Sequence, residues 1–168
     1  MNRRIVILGF MACGKTTVAQ ELARQLGCEL IDLDSFITER HGRSPARIIQ
    51  EDGEAIFRAT ETLALRDVLQ KTDARVIALG GGTWTVAANR TLIALHDCAT
   101  VWLDTPFEVC WKRIAKNETV RPLAPDRETA ANAYDARRET YRLANIRIDA
   151  SHTNSAADVI NSLMRMLG

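Results

Sequence analysis

Short apolar runs alternate along this chain with longer stretches in which apolar residues return every three or four positions. The runs cover residues 5–8 (Ile-Val-Ile-Leu), 28–31, 75–79, 100–103 and 147–149. They are of strand length and rich in β-branched residues, the pattern of strands covered on both faces. The stretches between them have helical period. Val18, Leu22, Ala23 and Leu26 make one stripe, and Ile56, Leu63, Leu65 and Leu69 are among the apolar positions of a longer helix. Residues 88–96, 134–143 and 156–166 read as further helices, the last turning Val159, Ile160, Leu163 and Met164 inward. Ser44-Pro45 is a helix start, a capping hydroxyl followed by proline in the first turn. Pro106 opens a helix that carries Val109, Cys110 and Ile114 inward. Alternation of this kind predicts one three-layer α/β domain over residues 1–168, with five parallel strands and helices on both faces.

Where the first strand meets the first helix stands Gly9-Phe10-Met11-Ala12-Cys13-Gly14-Lys15-Thr16, a match to the phosphate-binding pattern G-x-x-x-x-G-K-S/T. A strand before and a helix after are the context this motif requires. Gly9 and Gly14 let the backbone curl around an anion, so that the amides from Ala12 and Cys13 to Thr17 point at phosphate oxygens. The helix N-terminus adds partial positive charge at the same place. Lys15 reaches the β- and γ-phosphates, and the Thr16 hydroxyl ligates Mg²⁺. On this reading the chain binds a nucleotide.

Composition mainly excludes. The chain has 168 residues, 46% hydrophobic and 26% charged, with a net charge of +1. That length suits a single core, and the balanced charge offers no basic stripe for nucleic acid and no attraction to an anionic membrane. No apolar run approaches membrane-spanning length. Cys13, Cys28, Cys98 and Cys110 show neither metal-ligand spacing nor a C-x-x-C pair, which suits free thiols in a reducing compartment. A cytoplasmic monomer is the expectation.

Four other stretches carry candidate chemistry. Asp32-Leu33-Asp34 ends the second apolar run, and carboxylates at the C-terminal end of a parallel strand lie where open sheets bind ligands. At i and i+2 on a strand they share a face, one approaching Mg²⁺ through water and the other a substrate hydroxyl. Alternatively, Asp34 is simply the N-cap of a helix starting at Ser35-Phe36. Arg58 and Glu61 are three apart on a helix, either a solvated pair or one in which Glu61 aims Arg58 at an anionic group. Gly80-Gly81-Gly82 permits close backbone approach by a ligand, or is a plain turn. Residues 116–128 break the pattern with two prolines and several charges. They read as a lid, with Arg121 or Arg127 brought onto a transferring phosphoryl group.

Taken together, GFMACGKTT, DLD, GEAIFRATE, LGGGT, TVRPL and R-x-x-x-Y before the last strand follow an order and spacing that resembles the shikimate kinases over nearly the whole chain. The resemblance implies a P-loop kinase fold. It implies transfer of the γ-phosphoryl group of ATP to the 3-hydroxyl of shikimate, a step in aromatic amino-acid biosynthesis, with ATP and Mg²⁺ as cofactors. It also implies roles. Lys15 and the loop from Gly9 through Ala12, Cys13, Gly14 and Thr16 to Thr17 hold the ATP phosphates, and Thr16 ligates Mg²⁺ with Asp32 supporting it. Asp34 binds the shikimate hydroxyls and accepts or orients the attacking proton. Arg58 and Arg137 grip the shikimate carboxylate, helped by the backbone of Gly80, Gly81 and Gly82. Arg121 is the lid arginine that reaches the phosphates, and Arg113 stacks on adenine.

The chain departs from the family pattern at several positions. Ala12 and Ala124 stand where glycine and leucine are usual, and Glu139 and Ser155 where proline is common. Trp84 is bulky enough to reshape the acceptor pocket. Two other readings stay open at this level: a kinase of the same architecture for another polyhydroxylated acceptor such as gluconate, and a non-catalytic nucleotide switch. The lack of an Asn-Lys-x-Asp segment speaks against the switch.

Overall fold

The computed structural model describes residues 3–117, 121–151 and 155–167. Its strands are β1 (Ile5–Leu8), β2 (Leu30–Asp32), β3 (Val76–Ala78), β4 (Ala99–Asp104) and β5 (Ile146–Asp149). They form one parallel sheet in the order β2-β3-β1-β4-β5. β1 is the central strand, with Val6 opposite Ile77 on one side and Thr100 on the other. All of β1 is buried, as its unbroken apolar sequence requires of a strand covered on both faces. The helices are α1 (Lys15–Leu26), α2 (Leu33–His41), α3 (Pro45–Asp52), α4 (Glu54–Lys71), α5 (Ala87–Leu95), α6 (Phe107–Lys116), α7 (Arg127–Tyr141) and α8 (Ala156–Leu167). A turn of 3₁₀-helix, Thr83–Thr85, follows the glycine run. The expected α/β fold, five parallel strands flanked by helices, is the one observed.

Local chemistry sets the boundaries. α1 ends at Gly27, whose left-handed backbone returns its N–H to the carbonyls of Ala23 and Arg24. Ser44 caps α3 as anticipated, its hydroxyl accepting from the Arg47 amide. The second strand is shorter than the sequence suggested, and it stops at Asp32 because that residue caps α2. Its Oδ1 accepts from the Ser35 amide at 3.0 Å. The cap is therefore Asp32, not Asp34, and the two aspartates do not share a strand face. Leu33 between them turns into the core, and Asp34 sits in the first turn of the helix.

Several apolar positions face water instead of the core. On α4 the buried stripe is Phe57, Glu61, Ala64, Leu65, Val68 and Leu69, while Ile56 and Leu63 are exposed. On α6 Cys110 and Ile114 point inward and Val109 does not, being a hundred degrees around the helix from Cys110. On α8 Val159, Ile160 and Leu163 fill the core and Met164 is exposed. Each displaced residue lies one position off an i, i+3, i+4 stripe, where the helical period forces it outward.

Candidate active site

The carboxyl ends of β1, β2, β3 and β4 open into one cleft of about 830 Å³. This is where an open parallel sheet places its ligands. The loop between β1 and α1 forms its floor. Gly9 has φ +149°, and a Cβ there would lie 2.7 Å from the Leu103 carbonyl oxygen, so no other residue fits. Gly14, at φ +103°, is the N-cap of α1 and has no side chain to cap with. Among the described residues the amides of Gly14, Lys15 and Thr16 donate to no protein acceptor, which leaves them for an anion. Ala12 carries φ +59°, a left-handed backbone that explains why glycine would be at ease there. Lys15 folds back over the loop, its Nζ donating to Gly9 O at 3.0 Å and Phe10 O at 2.8 Å. Arg113, from α6, donates to the Ala12 carbonyl at 3.0 Å and lines the same cleft, as does Thr17.

Thr16 Oγ1 donates to Asp32 Oδ2 at 3.1 Å. These are hard oxygen donors beside a helix N-terminus. They suit Mg²⁺, which takes one or two protein oxygens and completes its octahedron with phosphate and water. That mode needs no carboxylate cage, and no group of three or more His, Cys, Asp or Glu residues able to hold a metal occurs among the described residues.

On the opposite wall the glycine run is shaped by what packs on it. A Cβ on Gly80 would lie 2.9 Å from Asp34 Oδ1, 3.0 Å from Thr83 Oγ1 and 3.1 Å from Glu61 Oε1. A Cβ on Gly81 would meet Met11 N at 3.2 Å and Arg137 Nη1 at 3.5 Å. On Gly82 it would sit 2.8 Å from the guanidinium carbon of Arg58. Gly80, Gly81 and Gly82 form a turn, with the Thr83 amide bonded to the Gly80 carbonyl at 3.3 Å, and their lack of side chains lets Asp34, Arg137 and Arg58 pack against one wall. Arg58 Nη1 donates to Glu61 Oε2 at 2.9 Å, and Thr83 Oγ1 donates to Glu61 Oε1 at 2.6 Å. Glu61 is 1% exposed and the Arg58 side chain 20%, so this pair is largely withdrawn from solvent. Arg137 lies with its guanidinium 5.6 Å from the Phe10 ring centroid. The Tyr141 hydroxyl donates to the Gly81 carbonyl, tying the end of α7 to the glycine run. Burial, reinforced by the Asp32 and Glu61 carboxylates, pushes the Asp34 pKa up to about 6 against the pull of Lys15 and Arg58.

Of the expected lid, residues 118–120 lie outside the described residues, and with them part of the TVRPL motif. Arg121, Pro122 and Leu123 line the cleft, and Ala124 is buried, its amide bonded to the Arg121 carbonyl at 2.9 Å. Arg121 Nε is buried and has no hydrogen-bond partner among the described residues. Burial pulls its guanidinium below the usual range, partly offset by Asp34. Arg127 does not join the cleft. It begins α7, pairs with Glu108 and stacks over Phe107.

The remaining departures prove peripheral. Trp84 does not line the cleft: it is buried, and its Nε1 donates to the Thr140 carbonyl at 2.9 Å. Glu139 is an exposed helical residue paired with Arg142 at 2.8 Å. Ser155 lines the cleft edge, and its hydroxyl donates to Asp158 at 2.9 Å, fastening the start of α8.

Sequence reasoning missed the burial of Glu61 and two further groups altogether. Glu61 stands in phase with the apolar stripe of α4, and a carboxylate on a core stripe is the signal that would have exposed its burial. Asp104, at the end of β4, is buried and takes Arg138 Nη2 at 3.1 Å and Arg147 Nη2 at 2.7 Å, with both guanidiniums over Trp102. This triad fixes α7, which carries Arg137, against the sheet. Thr105, just beyond β4, had no sequence signal at all.

A phosphate-loop motif on the central strand, a Thr–Asp oxygen pair beside it and a facing wall of one carboxyl and two guanidiniums in the same cleft are the frame of a P-loop kinase of small molecules. The comparisons carry this further. A model of the shikimate kinase family matches residues 11–168. A shikimate kinase of Geobacter sulfurreducens is 38% identical over 165 residues, covering 96% of this chain and 89% of the relative. The solved shikimate kinase from Acinetobacter baumannii in complex with shikimate superposes with a TM-score of 0.88 at 30% identity, over 98% of this chain and 92% of that one. The solved shikimate kinase from Bacteroides thetaiotaomicron gives 0.87 at 27% identity, over 98% of each chain. The chain belongs to the shikimate kinase family.

Proposed function

We propose that this protein transfers the γ-phosphoryl group of ATP to the 3-hydroxyl of shikimate, yielding shikimate 3-phosphate and ADP in aromatic amino-acid biosynthesis. One observation carries the reading: Asp34, Arg58 and Arg137 meet around Gly80, Gly81 and Gly82 in the same cleft as the phosphate loop. A polyhydroxylated carboxylate is the acceptor those three groups suit. Two forked guanidiniums donate in-plane to a carboxylate, and a carboxyl group receives a hydroxyl.

The free amides at the start of α1 and Lys15 bind the ATP phosphates, and Arg113 flanks the base. Thr16 and Asp32 would hold Mg²⁺, which would supply charge neutralisation to the bound nucleotide. Arg58, braced by Glu61, and Arg137 clamp the carboxylate, with the backbone of the glycine run against the ring. Asp34, ionised above pH 6, then faces a substrate hydroxyl and takes up or orients its proton as the bond to phosphorus forms. Transfer through a loose transition state asks mainly for alignment and charge. Lys15 and Arg121, both lining the cleft, supply positive charge. Residues 1–168 act as one domain, with 116–128 as the lid that excludes water.

We also read the protein as a cytoplasmic monomer. Every residue invoked comes from one chain, its cysteines are all free thiols, and among the described residues no helix is long and apolar enough to cross a membrane. The test is ADP release from MgATP with shikimate, gluconate, a neutral cyclitol or no acceptor. A rate that depends on shikimate is expected. Turnover only with another acceptor, or none with any, overturns the assignment.

A further inference from the structure

Thr105 is buried at the end of β4, and its side chain reaches across the cleft floor. Its Oγ1 donates to the carbonyl oxygen of Cys13 at 2.9 Å, a contact between residues 92 apart in sequence. Cys13 lies in the phosphate loop, immediately before Gly14. A peptide unit is planar and trans, so its C=O and the following N–H point in opposite directions. Holding the Cys13 carbonyl therefore fixes the direction of the Gly14 amide, one of the amides left without a protein acceptor. The need for such a hold is specific to this loop. Gly14 has no side chain, α1 has no side-chain cap, and both Ala12 and Gly14 have positive φ. The backbone between them is held by hydrogen bonds: the Cys13 amide donates to the Phe10 carbonyl at 3.2 Å, Arg113 donates to the Ala12 carbonyl at 3.0 Å, and Thr105 donates to the Cys13 carbonyl.

Thr105 is in turn held. Its carbonyl accepts from the Tyr134 hydroxyl at 2.9 Å, and that hydroxyl also accepts from Arg138 Nη1 at 2.8 Å. Arg138 is anchored on buried Asp104, next to Thr105 in the chain. Tyr134 also packs edge-on against Phe10 of the loop, with ring centroids 5.2 Å apart. The hydroxyl of Thr105 is thus the end of a hydrogen-bonded chain that runs from helix α7 to the peptide facing the phosphates.

We propose that Thr105 is a nucleotide-positioning residue, which through its hydrogen bond to Cys13 O holds the Gly14 amide in the orientation that meets a phosphate oxygen. The inference rests on the loop being the nucleotide site. It touches no acceptor group, so its effect belongs to the nucleotide side of the reaction.

The experiment is direct binding of MgADP to wild-type protein, Thr105→Val and Thr105→Ser, followed by steady-state kinetics with shikimate. Valine keeps the shape and removes the donor, whereas serine keeps the donor. Thr105→Val is expected to weaken MgADP about tenfold and raise the ATP KM similarly, with the shikimate KM within twofold of wild type. Thr105→Ser is expected to recover to within threefold. Equal MgADP affinity in wild type and Thr105→Val overturns the proposal, as does a serine variant as weak as the valine one. Equal rises in both KM values assign Thr105 a structural role only and likewise overturn it. Should Thr105→Val fail to fold, Thr105→Ala and Tyr134→Phe carry the same comparison, each expected to weaken MgADP in preference to shikimate. If wild type itself fails to bind MgADP, the nucleotide reading falls and this inference with it. If wild type binds and Thr105→Val binds equally well, only the inference falls.

Discussion

Replacing Asp34 with asparagine is expected to stabilise the ligand-free protein while destroying transfer. The Asp34 carboxyl is held in the first turn of α2 beside Glu61 and the Gly80 backbone, and its pKa rises from an ordinary 3.8 to about 6. The folded state therefore holds a proton on Asp34 that the unfolded state has already released. Between those two values the folded state binds more protons, so this group lowers stability as pH rises from about 4 to 6, and the loss is complete above 6. A shift of that size corresponds to about 3 kcal/mol. Residual solvent contact screens part of it, and the positive end of α2 returns up to about 1 kcal/mol. A net penalty on the order of 2 kcal/mol above pH 6 remains. Asparagine has the same shape and no charge, so Asp34→Asn removes that penalty. For a chain of this size the gain is about 4–8 °C in Tm at pH 8. Thermal or urea unfolding of both proteins from pH 4 to 8 measures it. The two should coincide near pH 4 and separate between pH 4 and 6. The same variant should lose shikimate phosphorylation and keep MgADP affinity nearly intact. Equal stability at pH 8, a less stable variant, or a gap independent of pH would refute the account of Asp34 as a desolvated carboxyl kept for function at a cost in stability.

Arg58→Ala removes a charge-assisted grip worth roughly 1.5–3 kcal/mol and should raise the shikimate KM roughly 10- to 100-fold with the ATP KM little changed; an unchanged shikimate KM sinks the carboxylate clamp. At position 12, with its φ of +59°, glycine should leave stability equal or slightly higher. A β-branched valine there should cost about 2 kcal/mol relative to glycine in urea unfolding, and equal stabilities would deny the strained backbone. Trp84→Phe loses the indole bond to Thr140 and should cost about 1 kcal/mol, while the KM for shikimate stays within twofold; a large change in acceptor KM would put Trp84 back in the pocket.

Much of this protein was legible in one dimension. The five apolar runs, the phosphate loop between a strand and a helix, and the order of the later motifs are properties of local sequence. Strand burial and helical period follow from residue spacing alone. So does the phosphate loop, whose chemistry lies in eight consecutive residues. Spacing could not decide which face of a helix meets the sheet when apolar residues stand on either side of the stripe. Ile56, Val109 and Met164 went outward for that reason. Nor could it decide where β2 yields to α2, because Asp32 serves equally as a strand end and as a cap. Contacts between distant segments were beyond it altogether. Glu61 is an unremarkable i, i+3 partner until Thr83 and Gly80 enclose it. Trp84 is a threat to the pocket until Thr140 takes its N–H and buries it elsewhere. Asp104, Arg138 and Thr105 have no motif because their partners come from β5, α7 and the phosphate loop, and only the packed chain brings these together. Hydrogen bonds and desolvation act through space, and a sequence records position along the chain.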